Sequence, residues 1–172
     1  MTKASPPARP IAVRNLHPRL RLERARIVAA LRALDAAHAD LAAPGSTIAN
    51  RDELSIVFLT DTALASLHAG FLGDPSPTDV ITFAGEPALG AAGEICVSAD
   101  AAARYAAGRD FSREMTLYLV HGWLHLAGHD DREPSAKRAM RRAEARALRL
   151  LEAKRTLPRF RLAAAKKSVP LR

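Results

Sequence analysis

Cysteine is almost absent from this 172-residue chain, which has a single thiol, Cys96. One cysteine cannot form an internal disulfide or a thiolate cage for a metal, and such a composition favours a reducing compartment. The first residues, 1–7, include Lys3 but no apolar segment follows them, so they do not resemble a signal peptide. No apolar run approaches the ~20 residues that span a bilayer. We therefore expect a cytoplasmic protein without a membrane partner.

Aromatic residues are also scarce, at 5% of the chain. This argues against an aromatic platform that reads single-stranded bases by stacking. Hydrophobic residues make up 48% and charged residues 26%. A chain of this length and composition is expected to form one domain with a buried core, which excludes wholesale disorder.

Acidic residues are nearly missing from the two ends of the chain. Residues 1–26 carry a net charge of +6 and residues 154–172 carry +7, so the middle is mildly acidic within a total of +8. Basic ends of this kind attract polyanions such as nucleic acid. They also keep proteins soluble, and composition alone leaves both explanations open.

Short β-branched runs alternate with segments of helical periodicity. They predict an α/β (α+β) domain in which a small mixed sheet of about four strands packs against about five helices. We expect a flexible basic lead-in at 1–10, the domain at 11–152 and a basic tail at 153–172. The strands are expected at 11–13, 54–59, 80–83 and 94–98. The helices are expected at about 22–37, at 60–70, after residue 98, from residue 114 through the two histidines to a turn at Gly128, and in a following segment that includes Met140 and Glu144.

Two histidines carry the most specific chemical signal. His121 and His125 are four residues apart, which on a helix places them on one face with Cβ atoms about 5–6 Å apart. Two imidazoles at this spacing can bind one metal ion. Gly122 between them favours a close packing contact, since glycine is a poor helix former. Gly128 can adopt the left-handed conformation that ends a helix.

The third ligand has two candidates on the far side of that turn. Asp131 lies six residues past His125, which gives the chain room to bend back and present a carboxylate oxygen. His129 is the alternative. Two imidazoles, one carboxylate and a water would form a tetrahedral catalytic zinc site with one open position.

Three segments resemble the YbeY family of bacterial endoribonucleases. Residues 121–131 read H-G-W-L-H-L-A-G-H-D-D and resemble the family signature H-G-x-L-H-L-x-G-x-D-H. Residues 77–83, P-T-D-V-I-T-F, are similar to P-T-D-V-L-S-F, and residues 93–98, G-E-I-C-V-S, are similar to G-D-I-x-I-S. Met140 and Glu144 follow where the family has similar residues.

The resemblance implies a zinc-dependent, single-strand-specific endoribonuclease that binds one Zn²⁺ ion. It implies a role in 16S rRNA 3′-end maturation and in late assembly and quality control of the small ribosomal subunit. The implied partners are rRNA and the small subunit, with ribosomal proteins or assembly GTPases as further candidates. The alternatives are an rRNA-binding assembly factor with a structural metal, or a zinc hydrolase of a small molecule or peptide.

Two positions depart from the family pattern. Asp131 stands where the family usually has its third histidine ligand, so we prefer Asp131 to His129 as the ligand. A carboxylate there lowers the formal charge of ion plus ligands by one, so the bound water should be less acidic than in an all-histidine site. Leu72 stands where the family commonly has an arginine thought to help with phosphate.

The general base stays unassigned. Asp79, His129 and Asp130 could carry protons or orient ligands, but the two aspartates are equally suited to capping turns. Gly122 occupies the position that holds the glutamate base of H-E-x-x-H zinc peptidases, which argues against that class.

Overall fold

Strands and helices alternate along most of the chain. The computed structural model describes residues 8–46, 52–74 and 76–164. The strands are β1 (Ile11–Asn15), β2 (Leu20–Leu22), β3 (Glu53–Leu59), β4 (Val80–Ala84), β5 (Ala91–Ser98) and β6 (Phe160–Leu162). The helices are α1 (Arg24–Ala36), α2 (His38–Leu41), α3 (Asp61–Leu72), α4 (Ala99–Ala106), α5 (Phe111–Leu126) and α6 (Pro134–Ala153), with a 3₁₀ turn at Pro87–Leu89.

The main sheet has four strands in the order β1-β3-β5-β4. β1, β3 and β5 run parallel, whereas β4 pairs with β5 as an antiparallel hairpin. This confirms the predicted α/β architecture with a mixed four-stranded sheet. The described residues form six helices where the sequence predicted about five, because the four-residue α2 was not recognised.

The sheet separates two apolar layers because successive side chains of a strand point to opposite faces. Ile56 and Phe58 belong to the larger core, which includes residues of α1, α4, α5 and α6. Val57 and Leu59 belong to a smaller cluster with α3. Cys96 is buried in this smaller cluster, as the sequence predicted.

α5 is held tightly against the sheet, and this fixes the position of its histidines. A Cβ added to Gly122 would lie 2.5 Å from Cγ2 of Ile95 on β5. The absence of a side chain at Gly122 therefore allows α5 to lie close to β5. This confirms the predicted close contact. Trp123 is completely buried, and its indole N–H donates to Asp35 of α1 at 2.9 Å.

Both basic ends of the chain contribute to the folded core. Arg9 is only 3% exposed and its Nε donates to Asp35 at 2.8 Å, although the sequence placed it in a flexible lead-in. β6 pairs antiparallel with β2, and Phe160 packs against Phe58 with ring centroids 5.5 Å apart. The sequence predicted no element there. The basic residues Lys3, Lys166, Lys167 and Arg172 lie outside the described residues.

α6 is amphipathic and basic on its outer face. Met140, Ala143 and Ala147 are buried at helical spacing. The exposed positions include Lys137, Arg138, Arg141, Arg142 and Arg149. The acidic balance of the middle of the chain therefore does not extend to this helix. Within the described ranges, no helix is both long enough and apolar enough to cross a bilayer.

Candidate metal centre

The last two turns of α5 present two histidines to the same space. The Nε2 atoms of His121 and His125 are 2.9 Å apart. Their ring centroids are 4.5 Å apart and the rings are nearly perpendicular, at 84°. The predicted four-residue spacing therefore does bring the two imidazole nitrogens together.

A tight turn after α5 places Asp131 close to the two histidines. Gly128 has φ +85°, in the left-handed region that glycine adopts without strain. The N–H of His129 donates to Leu124 O at 3.0 Å and that of Gly128 to His125 O at 3.0 Å, which is the Schellman ending of a helix. Asp131 then lies with Oδ1 3.7 Å from His125 Nε2 and Oδ2 3.8 Å from His121 Nε2.

The second nitrogen of each imidazole has its own partner. His121 Nδ1 donates to Oε1 of Glu144 on α6 at 2.7 Å, and His125 Nδ1 donates to the carbonyl of His129 at 3.1 Å. Protons on both Nδ1 atoms leave the Nε2 lone pairs free to bind a metal. Sequence reasoning noted Glu144 as a family match but gave it no role, because nothing local connects it with His121.

The three groups have the dimensions of a metal site. One ligand atom from each of His121, His125 and Asp131 lies within 4.8 Å of the others. A tetrahedral ion with bonds of ~2.0–2.1 Å to nitrogen holds its ligands about 3.3 Å apart. The two Nε2 atoms are 2.9 Å apart, and each lies 3.7–3.8 Å from a different oxygen of Asp131, so the observed distances lie on both sides of that value. All three side chains are partly exposed, so solvent can reach the space between them.

The two imidazoles differ in basicity. Burial lowers the pKa of His121, but the carboxylates of Glu144, Asp131 and Asp79 outweigh it, so the pKa lies above its usual value. Burial and the neighbouring His121 lower the pKa of His125. The carboxylates around His121 thus favour its protonated form, and such a proton competes with a divalent cation for the imidazole.

The other predicted candidates have different partners. Nε2 of His129 lies 2.8 Å from the carbonyl of Leu41, so this ring is directed to α2 and away from the two metal-site imidazoles. Asp130 accepts from the N–H of Asp131 at 2.8 Å, and Asp79 accepts from that of Val80 at 2.9 Å. Both aspartates thus cap turns, the structural role considered for them.

A cleft of about 560 Å³ opens beside His125. It lies between the reversal after α5, the β4–β5 hairpin and residues 45–46. Arg132 is a basic residue on its wall, and the guanidinium Nε lies 3.6 Å from Asp130. Of the two histidines, His125 lies on the wall of this cleft.

Comparison with known proteins identifies the family of this site. Residues 22–152 match the family described as endoribonuclease YbeY. The chain belongs to this family. A YbeY endoribonuclease from Chlamydia pneumoniae is 40% identical over 116 residues, which cover 62% of this chain and 73% of the relative. One from Frankia alni is 36% identical over 103 residues, covering 51% of this chain and 57% of the relative.

The chain spans little more than half the length of the Frankia YbeY relatives, 57% and 55% of them. Among solved structures, the solution structure of TM1509 from Thermotoga maritima is similar, with a TM-score of 0.53. That alignment covers 92% of this chain and 99% of TM1509 at 16% identity. At this identity the likeness supports the fold alone.

Proposed function

We propose that this protein is a metal-dependent endoribonuclease whose metal ligands are His121, His125 and Asp131. One observation carries the proposal: two imidazole Nε2 atoms and a carboxylate converge within 4.8 Å in a chain of the YbeY family. YbeY relatives are named endoribonucleases, and RNA is the substrate that this name implies for this chain.

Each residue of the site has a defined task. His121 and His125 supply the two nitrogen ligands, and Asp131 supplies an anionic oxygen. Glu144 and the carbonyl of His129 fix the tautomer and orientation of the imidazoles by holding their Nδ1 protons. A divalent ion bound there would supply Lewis acidity toward a phosphoryl oxygen and a more nucleophilic water.

The finer proposal is that the ion is zinc and that the substrate is single-stranded rRNA. Nitrogen and oxygen donors in a three-residue set with an open position are typical of catalytic zinc. The YbeY resemblance supports 16S rRNA 3′-end maturation, late small-subunit assembly and quality control as the role. Ribosomal proteins and assembly GTPases are further candidate partners, and the cytoplasm is the proposed location.

An RNA cleavage assay tests the proposal. Purified protein loaded with zinc should cleave single-stranded RNA, spare duplex RNA and lose activity with a chelator. His121→Ala should abolish cleavage while the far-ultraviolet circular dichroism stays native. The matched control is His68→Ala, because His68 lies on α3 and, among the described residues, its ring hydrogen-bonds only to the carbonyl of Ser76. Cleavage that persists in His121→Ala would refute the assignment of the site.

A second candidate function rests on one residue. Leu72 replaces the arginine that family members commonly have, and its side chain lies outside the described part of the structure. Without that arginine, the protein could act as an rRNA-binding assembly factor with a structural ion. In that case metal removal would unfold the chain and RNA binding would persist without cleavage.

A further inference from the structure

Four arginines line a cleft of about 680 Å³ at the N-terminal end of α5, the end opposite to the metal-site histidines. They are Arg26, Arg113, Arg155 and Arg159, and we call this the arginine cleft. Asp110 is the acidic residue on its wall. The cleft thus has an excess of positive charge, which favours an anionic ligand.

Two of these arginines have acidic partners, and the other two have none in the part of the chain that the structure describes. Arg26 lies 3.2 Å from Glu23, and Arg113 pairs with Glu152. The carboxylate of Asp110 accepts from the N–H of Arg113 and so caps α5. Arg155 and Arg159 make no ion pair or side-chain hydrogen bond with any residue that the structure describes. Their guanidinium groups are available to a ligand.

The backbone around the two available arginines is well defined. Arg155 has φ +55°, in the left-handed region where glycine usually ends a helix. The N–H of Thr156 donates to Leu151 O at 2.9 Å and closes the turn. Ser112 of α5 bonds to both the N–H and the carbonyl of Phe160, at 2.9 and 3.0 Å. These hydrogen bonds fix the backbone that forms the wall of the cleft.

The positive surface continues onto the small sheet. Arg21 of β2 lies opposite Arg161 of β6 in the antiparallel register, and both are exposed. Like charges that face each other across a strand pair destabilise it. Arg159 directly precedes β6, and Arg159 and Arg161 are both exposed on either side of the buried Phe160.

We propose that the arginine cleft binds backbone phosphates of the single-stranded RNA whose scissile bond lies at the metal centre. Arg113, on the cleft wall, precedes His121 by eight residues, about 12 Å along the helix axis and a little over two turns. Both side chains contact carboxylates of α6, so they leave α5 toward the same neighbouring helix. One strand can contact both ends of α5 if it spans several nucleotides, as single-strand grooves of about 4–16 nucleotides do. The proposal rests on RNA being the substrate, as proposed above.

Binding of a 2′-O-methyl RNA, which resists cleavage, tests this cleft. Arg155→Asn with Arg159→Gln removes both available charges, and asparagine tolerates the left-handed backbone at 155 better than arginine. The matched control is Arg14→Gln with Arg32→Gln, because both residues are exposed and have no ion pair among the described residues.

We expect the cleft variant to bind an RNA of about 16 nucleotides about tenfold more weakly, and one of about 4 nucleotides with nearly unchanged affinity. The slope of log affinity against log salt should become shallower by about 0.7 for each RNA phosphate that the variant no longer neutralises. The control should keep the wild-type slope, and the melting temperature of the cleft variant should not fall.

An equal loss of affinity in the control variant, or an unchanged slope in the cleft variant, would overturn the proposal. Weaker binding of a polyglutamate peptide but not of RNA would assign the cleft to an acidic protein instead. Failure of the proposed function has a different outcome. Cleavage would then be absent from wild-type protein, while its RNA affinity would still depend on Arg155 and Arg159.

Discussion

Replacing Glu144 gives the most direct test of how a contact between helices affects metal binding by His121. Its carboxylate reaches from α6 to His121 Nδ1 at 2.7 Å. A hydrogen bond to a charged group contributes about 1.5–3 kcal/mol. Since about 1.4 kcal/mol corresponds to a factor of ten, the loss of this bond should weaken zinc binding by about 10- to 150-fold.

A second effect of the same carboxylate narrows that range. Glu144 also raises the pKa of His121, which favours a proton that competes with the ion. Removing Glu144 reduces this competition and offsets part of the loss. We therefore expect Glu144→Ala to bind zinc about 10- to 30-fold more weakly, at the lower end of the range seen when groups behind metal ligands are replaced. Glu144→Gln keeps an acceptor and should lose less.

Zinc affinity can be measured by competition with a chromophoric chelator at constant pH. Glu152→Ala is the matched control, because Glu152 lies on the same helix and pairs with Arg113 at the surface. It should bind zinc as the wild type does. Folding of each variant is checked by thermal melting. If folded Glu144→Ala binds zinc as tightly as Glu152→Ala, the positioning role of Glu144 is wrong.

Three further outcomes are expected. Gly122→Ala gains about 1 kcal/mol of helix propensity, but its Cβ would lie 2.5 Å from Ile95. Overpacking costs about 1–3 kcal/mol, so the free energy of unfolding measured in urea should fall by up to about 2 kcal/mol. A higher free energy of unfolding would contradict the close contact. Asp131→His should keep or raise the zinc content measured by elemental analysis, and a collapse would refute Asp131 as ligand. Burial and Glu94 raise the pKa of Cys96 to about 12, so native protein at pH 8 should react with iodoacetamide at least about 100-fold more slowly than unfolded protein; similar rates would refute the buried assignment.

Local patterns predicted much of the main domain correctly. Thr60 and Ser98 directly precede α3 and α4 and are residue types that favour helix N-caps, and each accepts a hydrogen bond from the first turn of its helix. The strand at 54–59 is β3, longer by one residue. Such features depend on side chains within a few residues of one another, so composition and spacing are sufficient to recognise them.

Long-range contacts were not predictable in the same way. β6 pairs with β2 from the opposite end of the chain, and Arg9 finds Asp35 of α1. Neither segment has a distinctive pattern, since a three-residue strand and a single arginine look like parts of any tail. Their burial depends on surfaces that exist only after the larger core has formed.

Local sequence patterns predict part of the candidate metal centre, and long-range contacts supply the rest. The sequence alone determines that His121 and His125 share one face of a helix, because the α-helical period makes residues four apart neighbours. It also determines, through Gly128, that the chain can reverse after them. Only the tertiary structure decides that Asp131 completes the cluster while His129 turns to Leu41. The tertiary structure also places Glu144 within hydrogen-bond distance of His121 Nδ1. That contact requires α6 to pack along α5, which no local sequence pattern predicts.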